Sequence, residues 1–300
     1  MRAIIAGGTG FIGKSLVREL KAHDWEIVIL SRRPKKVAEA FETGVIGMDW
    51  ENGDWPDLIG RDTAIVNLAG ANIAEGRWTR SRKQRILESR VSAGKRLVQA
   101  VKKNGSLPAA MIQASAVGYY GPCNSAPVNE YAPSGTGFLA EVTRQWEAST
   151  AELEAMGVRR CILRTGMVLG HGGALERMIT PFRFYMGGPV GSGLQGVSWI
   201  HMADEVAAIR FLMENSSTNG PYNLTAPEAV NFRTFADTLG KVMNRPSSLP
   251  VPGFALRLLF GEMADEVLLA GQMAQPERLL KAGYRFQFPS LQAALRDVLA

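Results

Sequence analysis

Arg2-Ala3-Ile4-Ile5-Ala6-Gly7-Gly8-Thr9-Gly10-Phe11-Ile12-Gly13 is the stretch on which the fold turns. A short apolar run breaks into a glycine-rich turn, and residues 14–22 then carry Leu16, Val17 and Leu20 at helical spacing. Buried strand, tight turn and helix start therefore follow one another directly, which is the context a dinucleotide-binding fingerprint needs. Glycines let the backbone turn sharply and approach a pyrophosphate, while the helix start offers unpaired N–H groups and a positive dipole end. Gly7, Thr9, Gly10, Phe11, Ile12 and Gly13 are the expected cofactor contacts here. A plain strand-to-helix turn could hold the same glycines; the position at the first strand of an α/β pattern favours the nucleotide.

That pattern continues. Residues 25–30, 44–49, 63–68, 110–114 and 158–163 read as further strands, and residues 81–103 and 136–156 as long helices. Alternating strands and helices predict a Rossmann-type, doubly wound parallel sheet whose ligand lies beyond the carboxyl ends of the strands. Residues 1–165 are expected to form the nucleotide-binding domain, to which about 197–230 return as a strand at 197–201 and a helix at 203–214. Residues 166–196 and 231–300 are assigned to a small, mainly helical C-terminal lobe, since glycine loops and prolines punctuate them.

Composition narrows the function. Hydrophobic content of 46% with 21% charged residues is that of an ordinary globular chain, long enough for a large core. The net charge of +6 is concentrated in residues 77–90, where basic and apolar residues alternate at helical spacing, so a solvated helix face is favoured over nucleic-acid binding. Cys123 and Cys161 stand far apart without a C-x-x-C or histidine pattern, so no metal and no disulfide framework are expected. No apolar run approaches the length of about 20 residues that spans a bilayer. The first strand begins too early to leave room for a signal peptide, and a cytoplasmic location without membrane contact is expected.

Ser31-Arg32-Arg33 follow the second strand, where an NAD-binding chain usually carries an acid for the ribose 2′-hydroxyl. Ser31 and Arg32 instead offer donors suited to a 2′-phosphate, so NADP is the expected cofactor. Leu68 and Ala69, closing the fourth strand, are small and apolar enough for close approach of the cofactor.

The order Gly7–Gly13, Asn67-Leu68-Ala69-Gly70, 114–121, 163–170 and Trp199-Ile200-His201 resembles the extended short-chain dehydrogenase/reductase superfamily. Asn67-Leu68-Ala69-Gly70-Ala71-Asn72-Ile73, Gly118-Tyr119-Tyr120-Gly121 and Gly187-Gly188-Pro189-Val190-Gly191-Ser192-Gly193 look like an atypical subfamily of it. Members of that subfamily are described as sugar-nucleotide epimerases or NADP-dependent oxidoreductases. Residues 250–295, with Gly261-Glu262-Met263, resemble its C-terminal module, so the likeness covers essentially the whole chain. It implies a small-molecule substrate, with a sugar nucleotide among the candidates, and either a monomer or a homodimer.

The resemblance also exposes departures. Superfamily enzymes carry a Tyr-x-x-x-Lys pair, the tyrosine as acid/base and the lysine as the cation that eases its ionisation and holds the ribose. Alignment here places Phe138 and Val142 at those positions, and neither can move a proton. The helper hydroxyl falls at or beside Ala116, leaving Ser115 one place off, and Arg90 stands where the helical asparagine is usual. Arg90 and Val168 are therefore taken as cofactor neighbours, and Tyr119, Glu141 and Ser115 as the candidate catalytic groups. Each has a plainer reading: a structural tyrosine beside a glycine turn, an exposed helical glutamate, a solvated arginine. The likeness thus leaves an atypical NADP(H)-dependent oxidoreductase or epimerase and, as the rival from another class, a non-catalytic NADP(H)-binding sensor or scaffold.

Overall fold

The computed structural model describes residues 1–41, 43–123 and 126–300. The first half runs β1 (Arg2–Ala6), α1 (Phe11–Lys21), β2 (Glu26–Ser31), α2 (Pro34–Ala40), β3 (Val45–Asp49), β4 (Thr63–Asn67), α3 (Arg80–Asn104), β5 (Ala110–Ala116) and β6 (Pro127–Val128). There follow α4 (Phe138–Ala148), α5 (Glu152–Ala155), β7 (Arg160–Thr165), β8 (Met167–Leu169), α6 (Gly173–Arg183), β9 (Gly196–Val197), β10 (Trp199–His201) and α7 (Met202–Glu214). The chain ends with β11 (Gly220–Leu224), β12 (Val230–Asn231), α8 (Phe232–Met243), α9 (Gly253–Phe260), β13 (Met273–Ala274), α10 (Glu277–Lys281) and α11 (Leu291–Leu299).

Seven strands form one sheet in the order β11-β7-β5-β4-β1-β2-β3, and every neighbouring pair in it is parallel. This is the doubly wound Rossmann-type arrangement that the alternation predicts. Strand residues alternate between two cores. Ala3, Ile5, Ala64 and Val66 pack with Leu16, Val17 and Leu20 of α1 and Ile209 and Leu212 of α7. Ile4, Val28, Ile65 and Met111 pack with Leu97, Val98 and Val101 of α3. Burial on both faces explains why these strands read as continuous apolar runs. A third cluster joins α8 and α11 to β8 and β10 through Leu169, Trp199, Phe235, Leu239 and Leu295.

Two sequence expectations are corrected. The helix expected over 136–156 is broken into α4 and α5. Arg160 Nη1 takes the Glu147 carbonyl at 2.8 Å, Ser149 Oγ turns back to the Trp146 carbonyl, and Thr150 Oγ1 donates to Gln113. These side-chain bonds give the backbone an alternative to the helical ladder. The strand expected at 197–201 is likewise split, because Ser198 Oγ donates to the Gln272 carbonyl and accepts from Ala274 N. Its halves then pair with different partners, β9 with β12 and β10 with β8.

The last stretch is fastened back onto α7. Asp204 accepts hydrogen bonds from the Tyr284 hydroxyl and from the N–H groups of Gln287 and Phe288, at 2.8–3.0 Å. The His201 ring lies tilted against Phe288, and its Nε2 stands 3.2 Å from Asp297 Oδ2. Among the described residues no helix is long and apolar enough to cross a membrane.

Candidate functional site

Gly7, Gly8 and Gly13 of the glycine turn are closely packed, while Thr9 and Gly10 are exposed. Gly7 has φ +85°, and a Cβ there would lie 2.7 Å from the Leu68 carbonyl oxygen. A Cβ on Gly13 would lie 2.4 Å from the Gly7 carbonyl oxygen, so this glycine lets α1 sit against the turn. Gly10 differs: only the Gly7 oxygen comes near, at 3.2 Å. Gly10 is also the N-cap of α1, with no side-chain hydrogen bond to the helix start, which leaves the first N–H donors free for an anion. Ile12 is half-buried. The Phe11 ring lies along Gly170, Gly172 and Gly173, bracing the loop that follows β8.

Register gathers the other proposed cofactor residues at the same sheet edge. Ala6 stands beside Leu30 of β2 and Asn67 of β4, so Ser31, Leu68 and Ala69 emerge next to the glycine turn. Ser31 Oγ accepts from Arg33 N at 3.0 Å, and Arg32 is exposed, with no acidic partner among the described residues. Val168 of β8 is buried beside Ile200. Arg90 is placed differently from a free clamp. Its Nη1 donates to the Ala71 and Ile86 carbonyls at 3.1 and 2.9 Å, and its guanidinium lies 4.9 Å from the Trp146 ring centre. Burial, with Arg82 nearby, lowers its pKa to about 10. Arg90 thus fastens the connection after β4 under Gly70, whose Cβ would touch its Cζ.

Of the three catalytic candidates, the structure joins Ser115 and Tyr119 through one buried network. Ser115 Oγ donates to Glu147 Oε1 at 2.7 Å, and Arg164 grips the same carboxylate with Nε and Nη2 at 3.0 and 3.1 Å. The Arg164 guanidinium lies 3.5 Å from the centre of the Tyr119 ring. Its Nη1 donates to the Tyr120 hydroxyl, which in turn donates to Asn223 Oδ1 at 2.6 Å. Burial pushes the Tyr120 phenol up to about 12. Tyr119 is half-buried at the rim, above a guanidinium whose charge Glu147 already balances. Glu141 is not part of this network; it pairs with Arg144 one turn on and accepts from Gln145.

Phe138 and Val142 are built into the protein. The Phe138 ring meets Trp78 edge-on at 5.0 Å, with Lys83 Nζ 4.5 Å from its centre. Val142 is 2% exposed, in a cluster with Trp78, Ile86 and Met263. Glu266 caps α4, accepting from Phe138 N and Leu139 N at 3.1 and 3.2 Å. Glu262 beside it pairs with Lys83 at 2.7 Å. The segment after α9 is thereby seated on α3 and α4.

Sequence reading missed Glu147, Arg164 and Glu266, and also Glu205, which is buried on α7 with its Oε1 accepting from Thr165 Oγ1. An arginine directly after the apolar strand expected at 158–163 was a usable sign for Arg164, and a carboxylate on the apolar side of 203–214 for Glu205. Nothing local marks Glu266, whose partners lie 127 and 128 residues away.

A parallel Rossmann-type sheet with a glycine cradle at its carboxyl edge defines a nucleotide-binding class of protein. Residues 3–225 match the NAD dependent epimerase/dehydratase family and residues 251–298 a domain of unknown function, DUF1731, and the chain belongs to that epimerase/dehydratase family. It is 38% identical to epimerase family protein YfhF of Bacillus subtilis, over 100% of this chain and 98% of the other. The crystal structure of human epimerase family protein SDR39U1 (isoform 2) with NADPH superposes with a TM-score of 0.87 at 33% identity, covering 99% of both chains. A nucleoside-diphosphate sugar epimerase from Corynebacterium glutamicum superposes with a TM-score of 0.79 at 29% identity, covering 100% of this chain and 58% of that one.

Proposed function

We propose that this protein binds NADP(H) along the carboxyl edge of its sheet and carries out oxidoreduction or epimerisation of a small polar substrate. The observation that carries the reading is the exposed Gly10 at the uncapped start of α1, crowded by no protein atom but the Gly7 carbonyl oxygen, between the closely packed Gly7 and Gly13. The NADPH bound to human SDR39U1 supports the choice of cofactor, and the name of the Corynebacterium neighbour supports a sugar nucleotide as a candidate substrate. In this reading the backbone of Gly7–Gly13 receives the pyrophosphate, and Ser31 with Arg32 receives the 2′-phosphate. Leu68 and Ala69 lie at the adenine–ribose edge, and Val168 packs near the nicotinamide. The bound nicotinamide supplies the hydride chemistry. Tyr119, half-buried with its ring over Arg164, is the phenol this reading offers for moving a proton. The two cysteines are free, which suits a reducing cytoplasm.

A second reading, a cofactor-binding sensor or scaffold, is favoured by one feature. Glu147 neutralises Arg164 and an apolar Val142 fills the lysine position, so among the described residues no unbalanced cation serves the phenol. Tight NADPH binding without oxidation over a broad panel of carbonyl compounds would decide for the sensor.

Gly10→Val is expected to abolish NADP(H) binding while leaving the protein folded, since the backbone there has φ −76° and the one tight contact of the new Cβ, with the Gly7 carbonyl oxygen at 3.2 Å, asks only for a small local shift. Calorimetry on a variant with unchanged circular dichroism tests this, and unaltered affinity would remove the basis of the proposal. Arg32→Ala is expected to weaken NADP by about 1.5–3 kcal/mol, the range of a charge-assisted contact, and NAD hardly at all. Equal losses for the two cofactors would show that Arg32 does not read the phosphate.

A further inference from the structure

Where α3 begins, the segment after α9 and the start of α4 leave a groove of about 440 Å³, lined by Trp78, Arg80, Lys83, Leu87, Phe138 and Glu262 among others. Its apolar wall is made by the Phe138 ring, the half-buried Leu87 and Trp78, whose indole N–H is already donated to the Ile73 carbonyl. Lys83 is held inside the groove between Glu262 and the Phe138 ring. At the mouth, Arg80 is exposed, and Arg77 lies across Gly261 with Nη2 3.5 Å from where a Cβ would stand. Neither guanidinium has a carboxylate partner among the described residues. Two cations, Arg80 and Lys83, therefore line this groove against a single carboxylate, Glu262, and Arg77 lies beside them at Gly261.

We infer that this groove receives an organic oxyanion, a compact carboxylate or phosphate monoester with an apolar body. The apolar part would lie on Phe138 and Leu87, and Arg77 and Arg80 would take the anionic group. Guanidinium groups match the planar, paired acceptors of carboxylates and phosphates, and such bonds are stronger than neutral ones. The surplus of positive charge at a concave apolar surface also raises the local concentration of anions. The inference goes beyond the proposed function: the groove shares no residue with the glycine turn or with the Ser115–Tyr119 network.

Benzoate, phenyl phosphate and the neutral benzyl alcohol are the probes, titrated into the full-length protein by calorimetry with and without NADPH. At least one anion is expected to bind, about tenfold or more tightly than benzyl alcohol, and the better of the two identifies carboxylate or phosphate as the preferred group. Arg77→Ala with Arg80→Ala should remove that preference while NADPH affinity and thermal midpoint stay as in the parent protein. Equal binding of the three probes, no binding of either anion, or an anion affinity untouched in the double variant would each overturn the inference. Loss of NADPH binding in the parent protein would instead overturn the proposed function and leave the anion groove standing or falling on its own titrations.

Discussion

Val142→Lys is expected to destabilise the protein by about 3–5 kcal/mol, the cost typical of a buried charge without a partner. The position is 2% exposed and enclosed by Trp78, Ile86 and Met263. The nearby carboxylates are committed, Glu262 to Lys83 and Glu266 to the start of α4. Rebuilding the superfamily pair as Phe138→Tyr with Val142→Lys should therefore weaken the fold and restore no turnover. Denaturant unfolding of the single and double variants measures the loss. It should shrink as pH rises toward about 10.4, because the folded state holds the lysine neutral and the unfolded chain loses its proton only there. A Val142→Lys protein as stable as the parent, with NADPH turnover gained in the double variant, would show that the position opens on the site after all.

The second large effect concerns Glu205. This carboxyl is fully buried on α7, its Oε1 accepts from Thr165 Oγ1 at 3.0 Å, and its Oε2 has no partner among the described residues. Burial raises its pKa from 4.5 to about 8. Between those values the folded state keeps a proton that the unfolded chain releases, so stability is greatest below about pH 4.5 and falls as pH rises toward 8. The accumulated penalty at pH 8 is on the order of 4 kcal/mol. Glu205→Gln keeps the shape and an acceptor for Thr165 without the charge. It is expected to flatten this component of the pH dependence, with a gain at pH 8 well above any change at pH 5. A variant that gains nothing at pH 8 relative to pH 5 would contradict a protonated Glu205.

These two positions show how far local sequence reaches. Residues 81–103 were readable as a helix, and α3 extends only one residue beyond that at either end, with Thr79 accepting from Arg82 N at its start and Gly105 at φ +75° past its end. Caps and periodicity act within a few residues, so they are visible in the string. The break between α4 and α5 was not readable, because it depends on Arg160 and Gln113 reaching back from neighbouring strands. The resemblance puts Arg90 beside the cofactor, and in the structure the carbonyls of Ala71 and Ile86 and the Trp146 ring hold it. Glu141 was assigned to catalysis, and its neighbours Arg144 and Gln145 engage it on α4.

By itself the sequence determined the strand–turn–helix unit at Gly7–Gly13, the parallel α/β order and the absence of the Tyr-x-x-x-Lys pair. Each is written in residues adjacent in the chain or one helical turn apart, where sterics and period alone decide the conformation. Only the tertiary structure decided which polar groups share a site. Ser115, Glu147 and Arg164 meet because β5, α4 and β7 pack together, and Glu262 and Glu266 reach α3 and α4 across 179 and 128 residues. No local propensity encodes such distances; the burial of apolar faces on both sides of the sheet brings these charges together, and low solvent access then gives each partner its consequence.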